Sequence, residues 1–289
     1  MRFGVHCSLR HGLAGAADEA HGLGCETLQI FTRSPRVWKM RSPAPDDVAL
    51  FTKKTKQYGL HPVIVHTPYL PNLATINKEL YEKSMTLLKE DIVISEEIGA
   101  SYLVLHPGSY SEGSTLEVGI NNIADAINRI LKAVPGKSMV LLENVAGGGR
   151  RIGRSFEELK SIIDLIDDQK RIGVCLDSAH AFAGGHDLST ATAVSKVIKD
   201  FRDTIGLSYL HMMHLNDSKA AFGTYRDRHE HIGEGSIGMT GFTEIIKAFD
   251  PLVQAGILET PKDPPGSDRK NLDTVLTLRA EAKKHPAEN

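Results

Sequence analysis

What most constrains this 289-residue chain is an alternation along its length. Short apolar runs rich in Val, Ile and Leu recur between longer amphipathic stretches: RFGVHC, TLQIFT, PVIVHT, YLVLHPG, MVLLENV, IGVCLDS, YLHMMHLN and GILET. Runs of this length without a polar face suit strands buried on both sides. The intervening segments 11–22, 45–58, 77–98, 117–133, 155–167, 189–204 and 239–249, and a last one over 268–284, carry helical patterning. Ser155 with Glu158 three residues later reads as a capping box, and Pro45-Asp46-Asp47 and Ser267-Asp268 look like similar starts. Strand followed by helix, eight times over, predicts an α/β protein with a parallel sheet closed into a single (β/α)8 TIM barrel, one domain over residues 1–289. An open doubly wound sheet is the alternative, weakened because no glycine-rich dinucleotide fingerprint follows the first run.

Charge and cysteine usage narrow the classes. Lys and Arg total 34 against 36 Asp and Glu, so a polyanion could be held only by a local basic surface or by bound metal ions. Cys7, Cys25 and Cys175 show no CxxC spacing, which argues against a disulfide framework and a cysteine zinc site and fits a reducing compartment. The first residues, MRFGVHCSLR, lack the apolar core of a signal peptide, and no run approaches the ~18 apolar residues of a membrane span. The expectation is a cytoplasmic protein without a membrane partner.

The ends of the apolar runs carry the chemistry. His66 ends the third, His106 the fourth, Glu143 the fifth and Asp177 the sixth, with His180 three residues on. His214 ends the seventh and Glu259 the eighth, and Asp227 and His229 lie in the long connection after the seventh. The long connections 31–44, 67–76, 144–154 and 216–238 all follow strands, on the face where barrels build active sites. A single strand-end histidine is more often a hydrogen-bonded structural residue, HLND alone is compatible with a helix cap, and ENVAGGG with a turn. The joint pattern is different: imidazoles and carboxylates without thiolate converge on one rim, a set suited to zinc, with Mn or Fe as alternatives. Metal ions also resolve the repulsion among the carboxylates.

In that order, HTPY, LHPG, ENVAGGG, GVCLDSAHAFAGGHDL, HLNDSKAAFGTYRDRHEHIGEG and ILETP closely resemble the endonuclease IV family of zinc-dependent apurinic/apyrimidinic (AP) endonucleases of base-excision repair, over essentially the whole chain. The resemblance implies one catalytic barrel with three Zn2+. His66, His106 and Glu143 would hold the first; Glu143 would bridge to a second held by Asp177, His214 and Glu259; His180, Asp227 and His229 would hold the third. Glu143 and Glu259 would be the catalytic carboxylates. The three dications against four carboxylates leave about +2, suited to an anionic diester. Ser178-Ala179 stands where many relatives have Thr-Cys; neither position would be a ligand.

The implied partner is double-stranded DNA with abasic sites or blocked 3′ ends, and the implied state a monomer. The family's probing residues fall on Arg36 and Tyr69, with Leu70 beside Tyr69. An abasic nucleotide has no base to unstack, so extruding it costs less than extruding an intact one. The loop TRSPRVWKMR sets Arg33, Arg36, Lys39 and Arg41 around Trp38, a composition suited to phosphates and bases, although a solvated loop with a buried Trp is the blander reading. Lys219 and Lys262 suit phosphate contact better than nucleophilic attack. His6, His11, His21, His61, His186, His211 and His285 read as structural or solvated, and His231, two residues past His229, as structural rather than a ligand. A sugar isomerase or epimerase barrel is the rival class. It needs one or two metals and an acid–base pair, not a third set of ligands. A DNA-binding module that had lost catalysis would be expected to have lost ligands as well.

Overall fold

The structure is a computed structural model that describes residues 1–39 and 42–284; Arg41 and His285 lie outside the described residues. In chain order the elements are β1 (Arg2–Cys7), α1 (Gly12–Leu23), β2 (Thr27–Phe31), α2 (Pro45–Tyr58), β3 (Val63–His66), α3 (Lys78–Glu97), β4 (Tyr102–Leu105), α4 (Leu116–Ala133), β5 (Met139–Glu143), α5 (Phe156–Ile163) and β6 (Ile172–Asp177). There follow α6 (Ser178–Gly184), α7 (Ala191–Thr204), β7 (Leu210–His214), β8 (Asp217–Ser218), β9 (His229–Glu230), α8 (Gly238–Phe249), β10 (Ala255–Leu258) and α9 (Ser267–Lys284). The sheet closes in the order β1-β10-β7-β6-β5-β4-β3-β2, and every neighbouring pair in it is parallel. The TIM barrel expected from the alternation is therefore the fold. No helix among the described residues is long and apolar enough to cross a membrane.

Three short elements escape the sequence pattern. The seven residues of α6 sit between Asp177 and Gly185, too short a stretch to show helical periodicity. β8 and β9 form a small antiparallel ribbon within the connection after β7. The helix starts also differ in detail. Ser155 accepts from the Glu158 amide as expected, but the Glu158 carboxylate reaches back to the amides of Gly153 and Arg154 rather than to that of Ser155. Asp47 accepts from the Leu13 and Ala14 amides, so it caps the start of α1 and not of its own helix.

The main apolar core lies between barrel and helices, with Phe3, Leu28, Phe156, Phe242 and Phe249 fully enclosed. Burying each such side chain contributes ~1.5–3 kcal/mol. A smaller cluster fills the barrel itself: Ile64, Tyr102, Val104, Leu141, Cys175, Met212, Ala255 and Ile257. Strand side chains alternate between faces with a period of two, so two residues beyond an interior residue comes another inward-facing one. Two residues beyond Ile64, Val104, Leu141, Cys175, Met212 and Ile257 come His66, His106, Glu143, Asp177, His214 and Glu259. The pleat that packs the barrel thus delivers a polar layer to its mouth.

Candidate metal centre

Glu143 is the hub of that layer. Its carboxylate is fully buried, with Oε2 lying 3.1 Å from His66 Nε2 and 2.9 Å from His106 Nε2. Its Oε1 lies 2.9 Å from His214 Nδ1 and 3.2 Å from His180 Nδ1. His214 Nδ1 also faces Glu259 Oε2 at 3.3 Å and Asp177 Oδ2 at 3.8 Å. On the outer side, Asp227 Oδ1 lies 3.2 Å from His180 Nε2 and 3.4 Å from His229 Nε2. The nine residues singled out in the sequence therefore meet on one rim, in three adjoining groups. Two details differ from the expectation: the ligand atoms that gather around His180 and His229 include Asp177, whose Oδ2 is 3.8 Å from His229 Nε2, with Asp227 on the outer side, and a further set joins His66, His214 and Glu259.

The proton on each imidazole follows from its partners. A carbonyl oxygen only accepts, so the ring nitrogen facing it must donate. His66 Nδ1 faces the Thr67 carbonyl at 2.6 Å, His180 Nδ1 the Asn144 carbonyl at 3.0 Å, and His229 Nδ1 the Glu259 carbonyl at 3.1 Å. His214 Nε2 faces the side-chain carbonyl of Gln29 at 2.9 Å. In each ring, when it is neutral, the opposite nitrogen carries the lone pair and faces carboxylates. That is the arrangement by which outer partners orient metal-binding histidines. His229 Nε2 adds an independent sign, since it is buried and makes no hydrogen bond. Lone pairs of nitrogen, carboxylate oxygens and a buried unpartnered ring atom fit divalent cations of the zinc type.

The electrostatics agree. Burial would raise the Glu143 carboxyl, but His106 and His214 override it and hold it well below the usual range. Burial acts the same way on Glu259, and His214, His6 and His66 bring it far down. Asp227 falls to about 2, with burial opposed by His180, His229 and His106. Burial disfavours charge on His180, yet Asp177, Asp227 and Glu143 push it well above its ordinary value. His214 is raised likewise, by Cys175, Glu259 and Glu143 against burial. These carboxylates are held by positive charge, and without ions the imidazoles must supply it.

Side chains around the rim fix it in place. Asp177 Oδ1 accepts from the His180 amide at 2.7 Å, so the carboxylate that faces two groups also caps α6. Asn216 donates to Asp177 Oδ2 at 2.7 Å and accepts from the Glu259 amide at 2.8 Å. Ser178 bonds the backbone of Asn216 and is no part of the three groups. Asp217 is fully buried and accepts from the amides of Gly233, Gly235 and Ile237 at 3.0 Å each. A Cβ on Gly235 would lie 2.5 Å from that carboxylate, which is why the turn after His229 needs glycine there. HLND is thus an anchor for the loop that carries His229, not a helix cap. In ENVAGGG, Gly147, Gly148 and Gly149 all have positive φ, the turn reading of that stretch.

Three sequence expectations need correction or completion. Arg33 does not face solvent: it is buried, pairing with Asp91 at 2.6 Å and Glu90 at 2.9 Å and donating to the Trp38 carbonyl at 2.8 Å. It ties the loop after β2 to α3, and the cost shows on Asp91, which burial pushes up to about 6 even with Arg33 beside it. His6 is no bystander; its Nδ1 lies 3.3 Å from Glu259 Oε1. Gln29, inconspicuous in the sequence, touches His214, Glu259 and His6. A buried amide inside a strand leaves no signature in one sequence. His231 behaves as expected, bonded to Asp263 and Asn271 outside the three groups.

Above the first group, Tyr69 is 66% exposed, its ring centroid 6.3 Å from that of His66 and 6.2 Å from that of His106. Tyr69, Leu70, His106, Arg151, His180 and Asp227 line one cavity of about 350 Å³ over the centre. Arg36 and Trp38 are exposed on the loop after β2. The connection between β8 and β9 exposes Phe222, Tyr225, Arg226 and Arg228 on the same rim. Arg228 donates to the Asp227 carbonyl at 3.1 Å. Lys262 donates to the His6 carbonyl and Asp268.

A closed barrel with this rim is a member of the xylose isomerase-like TIM barrel class, and the family model so described matches residues 17–278. Within that class, a probable endonuclease 4 of Halothermothrix orenii is 44% identical over 281 residues, spanning 96% of this chain and 99% of its own length. The crystal structure of endonuclease IV from Thermus thermophilus superposes with a TM-score of 0.85 at 32% identity, covering 97% of this chain and all of that one. A D-tagatose 3-epimerase-like protein reaches a TM-score of 0.75 at 21% identity, a likeness of fold alone. The chain belongs to the endonuclease 4 family.

Proposed function

We propose that this chain is a metal-dependent AP endonuclease that hydrolyses the phosphodiester 5′ to an abasic site in duplex DNA, leaving a 3′-hydroxyl and a 5′-deoxyribose phosphate. Its family makes it a deoxyribonuclease of DNA repair; the finer reading extends to clearing blocked 3′ ends, to three Zn2+ with Mn2+ or Fe2+ as substitutes, and to a cytoplasmic monomer with a single catalytic domain over residues 1–289. The observation that carries the reading is the meeting of three ligand groups on the Glu143 carboxylate, one more group than an isomerase requires.

His66, His106 and Glu143 would hold the first ion, Glu143, Asp177, His214 and Glu259 the second, and His180, Asp227 and His229 the third. Bound there, the ions supply Lewis acidity, which makes water acidic near neutral pH and stabilises charge on the phosphate and the leaving oxygen. The chain's own part is placement. Glu259, held by Gln29 and the Asn216 side chain, presents a carboxylate oxygen that orients the attacking water. Asp177 and the His180 ring, fixed through the cap of α6, set the opposite wall. Tyr69, Leu70 and Arg36 enter the duplex where the base is missing, and Phe222, Tyr225, Arg226 and Arg228 give the strand a second contact surface across the rim.

End-labelled duplex with one abasic site tests the chemistry. The expected product has a polymerase-extendable 3′ end, and borohydride traps no adduct. A lysine lyase would form a Schiff base and leave a blocked, unsaturated 3′ end; that outcome would refute hydrolysis and turn attention to Lys219 or Lys262.

Tyr69→Ala and Arg36→Ala should leave the ions in place and weaken lesion selection, because stacked side chains contribute about 1–3 kcal/mol each on nucleic acid. Binding titrations should show a larger loss on abasic than on intact duplex. Equal losses would reduce both residues to backbone contacts.

A further inference from the structure

Among the four imidazoles whose protons the structure fixes, three are set by backbone carbonyls and one by a side chain, Gln29. Gln29 sits in β2, a strand that contributes none of the nine rim residues, and is fully buried. Its Nε2 donates to Glu259 Oε1 at 2.6 Å and lies 2.9 Å from His6 Nδ1, while its Oε1 lies 2.9 Å from His214 Nε2. His6 and Gln29 are direct register partners on β1 and β2, so both face the barrel mouth at one level.

The amide has one orientation open to it. An ionised carboxylate accepts only, so the NH2 end must face Glu259, and the carbonyl end then faces His214. Reversing the amide would press oxygen against oxygen at 2.6 Å. One side chain therefore fixes two others. His214 carries its proton on Nε2 and turns the Nδ1 lone pair to Glu143, Asp177 and Glu259. Glu259 is held by one oxygen, leaving Oε2 toward His214. His6 Nδ1 lies 2.9 Å from Gln29 Nε2 and 3.3 Å from Glu259 Oε1, so its ring packs against the same pair.

We propose that Gln29 is a positioning residue for the second ion group, setting the tautomer of His214 and the rotamer of Glu259 so that both present ligand atoms to the same point. This rests on the metal-dependent reading above. It predicts a phenotype in ion binding itself, since outer partners of metal ligands typically govern affinity or activity by about 10–100-fold.

The test compares wild type, Gln29→Leu and Gln29→Glu. Leu has a similar size and removes every hydrogen bond of the amide; Glu keeps an acceptor for His214 and removes the donor to Glu259. Zn2+ affinity is measured by chelator competition without DNA, the coordination by the visible spectrum of the Co2+-loaded protein, and turnover on an abasic duplex. Gln29→Leu should bind Zn2+ about 10–100-fold more weakly, with an altered Co2+ spectrum and a lower kcat at unchanged KM. Gln29→Glu should hold a Co2+ spectrum nearer to wild type while still losing kcat. A folded Gln29→Leu protein with wild-type Zn2+ affinity and spectrum would overturn the proposal, as would a loss confined to KM. Should Gln29→Leu fail to fold, wild-type kcat in Gln29→Glu would overturn it. A wild-type chain that binds ions but leaves abasic DNA intact would refute the AP-endonuclease reading, and the ion affinities would still decide the role of Gln29. A wild-type chain that takes up no ion would overturn both.

Discussion

Replacing Glu143 with alanine should abolish incision, with kcat on the abasic duplex falling by roughly 10⁴-fold or more. That size follows from two ions losing a shared carboxylate, when removing one preorganised transition-state donor already costs about 10²–10³-fold. Four imidazole nitrogens lie within 3.2 Å of that carboxylate, so its loss removes the group that the first two sets share and a neighbour of His180 in the third. Asp177→Ala and Glu259→Ala should fall comparably, because each removes a carboxylate that faces His214 Nδ1. Single-turnover rates on folded variants, checked by circular dichroism, make the comparison. Near-native turnover in Glu143→Ala would refute the bridging role.

Stripping the ions with a chelator should abolish activity and make stability depend on pH in a specific direction. In the ion-free protein, His180 and His214 are raised above the ordinary 6.5. Stability from a raised histidine is fully present below its unfolded pKa and is lost as pH rises through the folded value. Glu143, Glu259 and Asp227 are depressed below their ordinary 4.5 and 3.8. Their stability is present above those unfolded values and is lost as pH falls through the depressed ones. The ion-free chain should therefore be most stable between about pH 4.5 and 6.5. Ion binding needs deprotonated imidazole, so protons compete with it and the ions stabilise more as pH rises. The gain in Tm on adding Zn2+ should grow steadily from about pH 5.5 to pH 8, read by scanning calorimetry. A gain that shrinks over that interval would contradict the assignment of these histidines as ligands.

Much of this is legible in the sequence because the barrel is built by repetition. Each strand is a short apolar run that ends at the rim, so the polar residue two places past an interior one marks the mouth, as with Met212 and His214 or Ile257 and Glu259. What the sequence hides are contacts between positions far apart in the chain. Arg33 reads as part of a basic DNA-facing loop, and nothing local reveals that Asp91, 58 residues on, neutralises it. HLND is compatible with a helix cap when read alone, whereas the amide partners of Asp217 lie in the turn beyond His229. His6 reads as structural or solvated because it lies on the first strand, whose contact with β10 exists only once the barrel closes. Gln29 carries no motif at all.

In the proposed centre, nine side chains on this rim hold three ions around Glu143. Anomalous diffraction at the zinc edge, from crystals of protein purified without chelator, measures this directly. Three peaks per chain are expected: one against His66, His106 and Glu143, one against Glu143, Asp177, His214 and Glu259, and one against His180, Asp227 and His229. An empty rim, or peaks bound by other residues, would contradict it.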